Sequence, residues 1–177
     1  MALGGLTRGV TVEEMNAAYC AFVNKGTYIK PRTYTKVLDS EGNVVLDNKQ
    51  VMNVAMKEKT ANYVLNLMQG VVTGSQGTGA KAKIKDISVA AKTGTTSDDF
   101  DRWFVGLTPY YCGTVWFGFD LNYTVPPVGT NPALVIWKKV MDEVLDGYEA
   151  KKFDSTADMV QVSYCLDSGG VPTEWCT

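Results

Sequence analysis

The sequence predicts an α/β (α+β) fold in which an antiparallel sheet is covered by helices, and three observations predict it. A short apolar run over 87–91 suits a buried strand, and runs rich in aromatic and β-branched residues follow over 103–111 and 114–120, joined by a tight connection at Tyr111-Cys112-Gly113. Segments starting near Thr11, Lys57 and Asn131 instead repeat their apolar residues every three or four positions, the interval of a helix with one buried face. Helix caps and turn residues separate the two kinds of segment. The strands near Ile87, Trp103 and Thr114 therefore form the sheet, and the last helix and the two earlier ones cover it.

Each element has a local reason. Thr11-Val12-Glu13-Glu14 is a capping box, its hydroxyl and carboxylate set to satisfy the first orphan amides of a helix. Met15, Tyr19, Phe22 and Val23 follow on one face, and Asn24-Lys25-Gly26 supplies the stop. Residues 28–46 read as a hairpin: strands at 34–38 and 44–46 flank Asp39-Ser40-Glu41-Gly42-Asn43, whose residue types tolerate positive φ. A second helix is clearest over 57–72, where Met56, just before it, and Thr60, Val64, Leu67, Met68, Val71 and Val72 keep helical spacing, with the methionines as core filler. Pro126-Pro127 and Gly129 break the chain before Asn131-Pro132 opens the third helix, with Asn as cap and Pro in the first turn. Its expected apolar face is Trp137, Val140, Met141, Val144 and Leu145, ending near Gly147. A looser tail from Tyr148 has one expected strand over 159–164. The organisation predicted is thus a main body over 1–147 and a tail over 148–177.

Composition narrows the function. A chain of 177 residues, 45% hydrophobic and 20% charged, can bury a real core. Its net charge of −2 offers no electrostatic footprint for nucleic acid or an anionic membrane surface. No apolar run approaches the roughly 18 residues that span a bilayer, and no signal peptide precedes the first helix. Met1 running directly into domain sequence suggests a piece of a longer protein. The chain has no histidine, which excludes histidine-based triads and dyads and the common zinc sites within it. No metal or cofactor is expected. Four cysteines lack any C-x-x-C spacing. Cys165 and Cys176 flank a Gly-Gly-Val-Pro turn and either pair in an oxidising compartment or stay as two thiols. Cys20, in a helix, and Cys112, at a hairpin, read as small packing residues.

The stretch around which the chain is organised is Ala90-Ala91-Lys92-Thr93-Gly94-Thr95-Thr96. A buried strand that ends in an ammonium, hydroxyls and a glycine makes sense where it borders a cleft. The ammonium supplies charge, the hydroxyls hydrogen bonds, and the glycine a close backbone approach. The bland alternative is a solvated strand end before a turn. Upstream, residues 74–81 nearly match a phosphate-binding loop, but Ala80 separates Gly79 from Lys81 and no Ser or Thr follows. Gly77-Thr78-Gly79 likewise mimics a dinucleotide fingerprint, yet follows a helix where a strand is required. Asp98, Asp99 and Asp101 could form a carboxylate pair or cation site, but a solvated loop is the simpler reading.

The run AAKTGTTSDDFDRWFVGLTPYYCGTVWFGFD resembles the corresponding segment of class A (bifunctional) penicillin-binding proteins, whose third signature is Lys-Thr-Gly. GGLTRGVTVEEMNAAYCAFVNKGTYIKP resembles an earlier segment of the same family, and Gly77-Thr78-Gly79 its turn before the Lys-Thr-Gly strand. The resemblance implies the back half of a serine D,D-transpeptidase domain with a partial β-lactamase/transpeptidase-like fold. In such enzymes a serine attacks the D-Ala-D-Ala carbonyl of a peptidoglycan stem peptide, and the acyl-enzyme passes to an amine or is trapped by a β-lactam. Carried over, Lys92 would be an electrostatic and proton-relay group. Thr93 and Thr95 would hold the substrate carboxylate, Gly94 would keep the strand edge open, and Thr96 would join these three among the substrate-binding residues. The Thr95 amide would be one oxyanion-hole donor. The parent would sit on the extracytoplasmic face of the bacterial membrane.

The departures are as informative. None of the seven serines, Ser40, Ser75, Ser88, Ser97, Ser155, Ser163 and Ser168, has a lysine three residues on, and no Ser-x-Asn occurs. A serine needs a base within hydrogen-bond reach to become a nucleophile. The expectation is half an active site, silent alone, whose partner is the missing N-terminal half of the domain. Uncovered apolar surface makes a homo-oligomer plausible. Two rivals stand beside this reading: a non-catalytic module that binds cell-wall peptide or protein, and a β-lactamase fragment.

Overall fold

The computed structural model describes residues 9–121, 123–154 and 162–174. Helix α1 (Val12–Val23) starts on the capping box read from sequence: Glu14 N donates to Thr11 Oγ1 at 3.1 Å, and Thr11 N to Glu14 Oε2 at 2.8 Å. Gly26, at φ +84°, ends the turn that follows, and a Cβ there would lie 2.1 Å from the Met56 carbonyl oxygen. That contact seats a small ladder the sequence reading did not foresee, β1 (Thr27–Ile29) against β4 (Met52–Val54). The expected hairpin lies between them as β2 (Lys36–Leu38) and β3 (Val44–Asp47), its turn tied by Asp39 accepting from the amides of Glu41 and Asn43. The Asn43 side-chain amide, which donates to Asp39 Oδ2 at 3.0 Å, and then these backbone bonds hold the Asp39 carboxyl below its usual range.

Helix α2 (Glu58–Thr73) leads through a short 3-10 turn (Ala80–Ala82) to the main sheet. That sheet is antiparallel in the order β5 (Ala90–Thr95), β6 (Asp101–Leu107), β7 (Cys112–Gly118). Helix α3 (Pro132–Val144) then packs on it, capped as read from sequence by Asn131, whose side chain accepts from Ala133 N at 2.9 Å. The sheet is covered on both faces. One holds Ala91, Phe104, Leu134, Trp137 and Met141; the other holds Ala90, Val105, Leu107 and, from α2, Leu65 and Met68. Half-buried Met15, Tyr19, Phe22 and Val23 of α1 border the second core.

Two local expectations are corrected. The central strand starts at Ala90, not Ile87, so Lys-Thr-Gly lies inside it. Ile87 bridges instead to Ile84 and Lys151, with Ser88 N donating to the Lys151 carbonyl, and pairing with β6 begins at Ala90 opposite Leu107. The buried side of α3 is Ala133, Leu134, Trp137, Met141 and then Leu145, whereas Val140 and Val144 are exposed. The strand expected over 159–164 lies largely outside the described residues, and 162–164 is irregular. Residues 148–153 dock on the body: Tyr148 packs edge-on against Tyr110, Lys151 lies over the Tyr110 ring, and Phe153 joins the second core. Among the described residues no helix is long and apolar enough to cross a membrane.

Candidate functional site

Strand β5 lies at the end of its sheet, so among the described residues one edge pairs with β6 and the other is open. Side chains alternate along a strand, and the two cores show which way. Ala91 packs towards α3 and Ala90 towards α2, which puts Thr93 and Thr95 on the α3 side and Lys92 and Gly94 on the other. The ammonium and the two hydroxyls therefore straddle the open edge from opposite faces. Register supports this: Lys92 sits opposite Val105, a residue of the α2-side core, and Thr93 opposite Phe104, a residue of the α3-side core.

Lys92 borders a concavity. Together with Tyr19, Phe22, Tyr28, Met56 and Met68 it lines a cavity of about 530 Å³ between α1, α2 and the β1–β4 ladder. Its Nζ folds back to donate to the Thr93 carbonyl at 2.6 Å. Thr93 Oγ1 lies 2.9 Å from Thr78 Oγ1. Gly94 backs onto β6 where a Cβ would come within 3.1 Å of Trp103 Cβ. Thr95 is exposed. The Thr96 hydroxyl accepts from Asp101 N at 2.9 Å, bracing the β5–β6 turn and leaving its proton free to donate.

The acidic loop is tied down within the fold. Asp99, at φ +59°, pairs with Arg102 at 2.8 Å, and Asp101 accepts from the Trp116 indole at 2.7 Å. Among the described residues no three acidic, cysteine or histidine side chains cluster as metal ligands. Cys20 and Cys112, far apart in sequence, meet between α1 and β7 and share a hydrogen bond, which holds the Cys20 thiol below its ordinary range and, with burial, pushes Cys112 up. Cys176 lies outside the described residues, and with it the Cys165–Cys176 pairing. Sequence reasoning missed Thr78 and the cavity-lining Tyr28. The Gly-Thr-Gly around Thr78 was the available signal.

The site is thus a three-stranded antiparallel sheet between helices, with Lys-Thr-Gly on its open edge strand. The chain belongs to the penicillin-binding protein transpeptidase domain family, whose model matches residues 2–123. It is 36% identical over 174 residues to penicillin-binding protein 1A of Clostridium botulinum, covering 98% of this chain and 21% of that protein. It is 38% identical over 138 residues to penicillin-binding protein 4 of Bacillus subtilis, covering 77% of this chain and 22% of that protein. The chain thus spans about a fifth of the length of these curated relatives. Among solved structures, penicillin-binding protein 1A of Haemophilus influenzae shares the fold, with a TM-score of 0.75 at 19% identity over 95% of this chain and 31% of that one. PonA1 of Mycobacterium tuberculosis aligns with a TM-score of 0.67 at 26% identity, over 91% of this chain and 44% of that one.

Proposed function

We propose that this chain is the Lys-Thr-Gly-bearing part of a peptidoglycan D,D-transpeptidase and supplies the substrate-gripping side of its active site. The observation that carries the reading is the open edge of β5, straddled by Lys92 on one face and Thr93 and Thr95 on the other, beside the cavity lined by Lys92. An extended peptide laid along that edge satisfies its backbone by strand addition. Its terminal carboxylate meets the Thr93 and Thr95 hydroxyls, with the Lys92 ammonium close by to offset its charge. The Thr95 amide donates to the oxyanion that forms when a serine attacks the penultimate D-Ala carbonyl, a contact typically worth about 3–4 kcal/mol in such sites. Lys92 stabilises the developing charge and passes a proton, and a β-lactam occupies the same edge. Thr96 holds the turn that keeps Thr95 in register.

The serine and its lysine come from the missing half of the domain, since the chain contains no Ser-x-x-Lys. The chain alone is accordingly silent, and the parent works at the extracytoplasmic face of the membrane as an antibiotic target. In this reading residues 1–147 form the domain part and 148–177 the tail. Incubation with a fluorescent penicillin followed by denaturing electrophoresis tests the claim: no covalent band is expected from the chain alone, and a stoichiometric one overturns it. The open edge also favours a second reading, a peptide-binding module without catalysis. Calorimetry with an acyl-D-Ala-D-Ala peptide separates the two, because binding at micromolar affinity by the chain alone favours the module. The uncovered apolar hairpin residues Val37, Leu38, Val44, Val45 and Leu46 support self-association, and a monomer in light scattering at high concentration would argue against it.

A further inference from the structure

The Gly77-Thr78-Gly79 loop fits neither nucleotide motif it imitates, and the structure gives each of its residues a place. A Cβ on Gly77 would lie 2.3 Å from the Val71 carbonyl oxygen. One on Gly79 would lie 3.1 Å from Val71 Cγ1 and 3.2 Å from the same carbonyl oxygen. The two glycines thus press the loop onto the last turns of α2, where Gly79 N donates to the Val71 carbonyl at 2.9 Å, satisfying one of the acceptors a helix end leaves free. Held between them, Thr78 reaches across to β5 and sets its Oγ1 2.9 Å from Thr93 Oγ1.

A hydroxyl has one proton to give and two lone pairs to receive. If Thr93 donates its proton to a carboxylate, it has none left for Thr78, so the contact survives only with Thr78 as donor. We propose that Thr78 is a positioning residue for carboxylate recognition: its hydroxyl donates to Thr93 Oγ1 and turns the Thr93 proton outward over the open edge of β5. The inference rests on the reading of Thr93 as a carboxylate-binding group and goes beyond it in assigning a donor that does not touch the ligand. Two effects follow. The accepted bond fixes the Thr93 rotamer before ligand arrives, so less order is lost on binding. It also polarises the Thr93 O–H, because hydrogen bonds in a chain strengthen one another by something like 10–30%. Both Thr78 and its partner lie at the surface of the site, so the bond's main consequence is orientation and not fold stability.

The test compares a penicillin with its methyl ester, which removes the negative carboxylate and keeps the rest of the molecule. Second-order acylation rates are measured in the full-length protein for wild type, Thr78→Val, Thr78→Ser and Thr93→Val, with a melting temperature for each. Thr78→Val is expected to reduce the acid-over-ester preference roughly three- to tenfold, the size of one ordinary hydrogen bond. Thr78→Ser restores it, and Thr78→Val adds little once Thr93 is already Val. If Thr78→Val does not accumulate as folded protein, Thr78→Ala carries the same comparison. A Thr78→Val that slows acid and ester alike, leaving their ratio intact, assigns Thr78 to loop structure and overturns the inference. So does an unchanged ratio in Thr78→Val beside a reduced one in Thr93→Val. An unchanged ratio in Thr93→Val refutes instead the carboxylate reading on which the inference stands.

Discussion

Replacing Gly106 by alanine is the sharpest test of how the sheet is held to α3. Gly106 of β6 pairs with Gly113 of β7, and the two leave a slot in the sheet into which the Trp137 indole lies. A Cβ on Gly106 would sit 2.3 Å from both Cε2 and Cζ2 of that ring and 2.8 Å from Nε1. Carbon atoms prefer about 3.5–4.0 Å, so the ring would have to retreat by more than 1 Å. It has little room to do so. Trp137 is 1% exposed, with Phe104 stacked edge-on at 5.3 Å between centroids, and Met141 Cε lies against Gly113. Overpacking of this kind costs about 1–3 kcal/mol. The rigidity of an indole places this case at the upper end, while the entropy released by removing a strand glycine returns about 0.5–1 kcal/mol. The expected net is about 2 kcal/mol, which for a chain of this size lowers the melting temperature by about 4–8 °C. Circular dichroism melts of wild type, Gly106→Ala, Trp137→Phe and the double variant measure it. The smaller phenyl ring should relieve the clash, so the double variant should be less destabilised than the sum of the singles. A Gly106→Ala protein melting within about 1 °C of wild type, or strict additivity, would refute the slot as the reason for this glycine pair.

Two further expectations follow from the titratable groups. Because the Cys112 hydrogen bond holds the Cys20 thiol low, Cys20 should become nucleophilic at a lower pH than a free thiol, while Cys112 lags behind it. Peptide mapping after iodoacetamide labelling across a pH series reads this, Cys112→Ala should move the Cys20 profile upward, and labelling of Cys112 first would contradict the geometry. At α1, the Glu14 carboxyl is held below its usual range first by the Thr11 amide and then by the Thr11 hydroxyl. A carboxylate with a lowered folded pKa stabilises at pH above its unfolded value and loses that contribution as pH falls through the folded one. Fraying of the first turn of α1, followed by hydrogen exchange at the Thr11 and Glu14 amides, should therefore begin on acidification below the ordinary glutamate range. Glu14→Gln should remove most of that pH dependence, and a profile identical to wild type would count against the capping box.

What could be read from residue order depended on whether the determining contact was local. The caps at Thr11 and Asn131 and the hairpin turn at Asp39 follow from neighbours in sequence and match the reading, and the three main strands exist where expected with shifted bounds, the central one starting at Ala90 and the last already at Cys112. The misread features are settled by distant partners. Ile87 reads as strand by composition, but Lys151, far along the chain, takes its backbone and delays entry into the sheet until Ala90. Val140 and Val144 fit the helical period as well as Trp137 and Met141 do. Only the slot made by Gly106 and Gly113 decides which stripe is buried.

The same distinction governs the candidate site. Lys92, Thr93 and Thr95 were legible because a strand that places charge and hydroxyls among alanines contradicts its own burial, and such a conflict marks function more often than fold. Their division between two faces follows from strand alternation, but only the cores on either side say which face is which. Thr78 was hidden for the opposite reason. Nothing in its own neighbourhood calls for a hydroxyl, and its glycine neighbours invite nucleotide readings. Its partner lies 15 residues away across a loop whose path is set by contact with the Val71 carbonyl. The two glycines and the threonine therefore act as one unit: the glycines fix where the loop lies, and that position gives the threonine something to hold. An alanine at Gly77 should thus disturb Thr93 as surely as the loss of the Thr78 hydroxyl, although neither residue need touch the ligand.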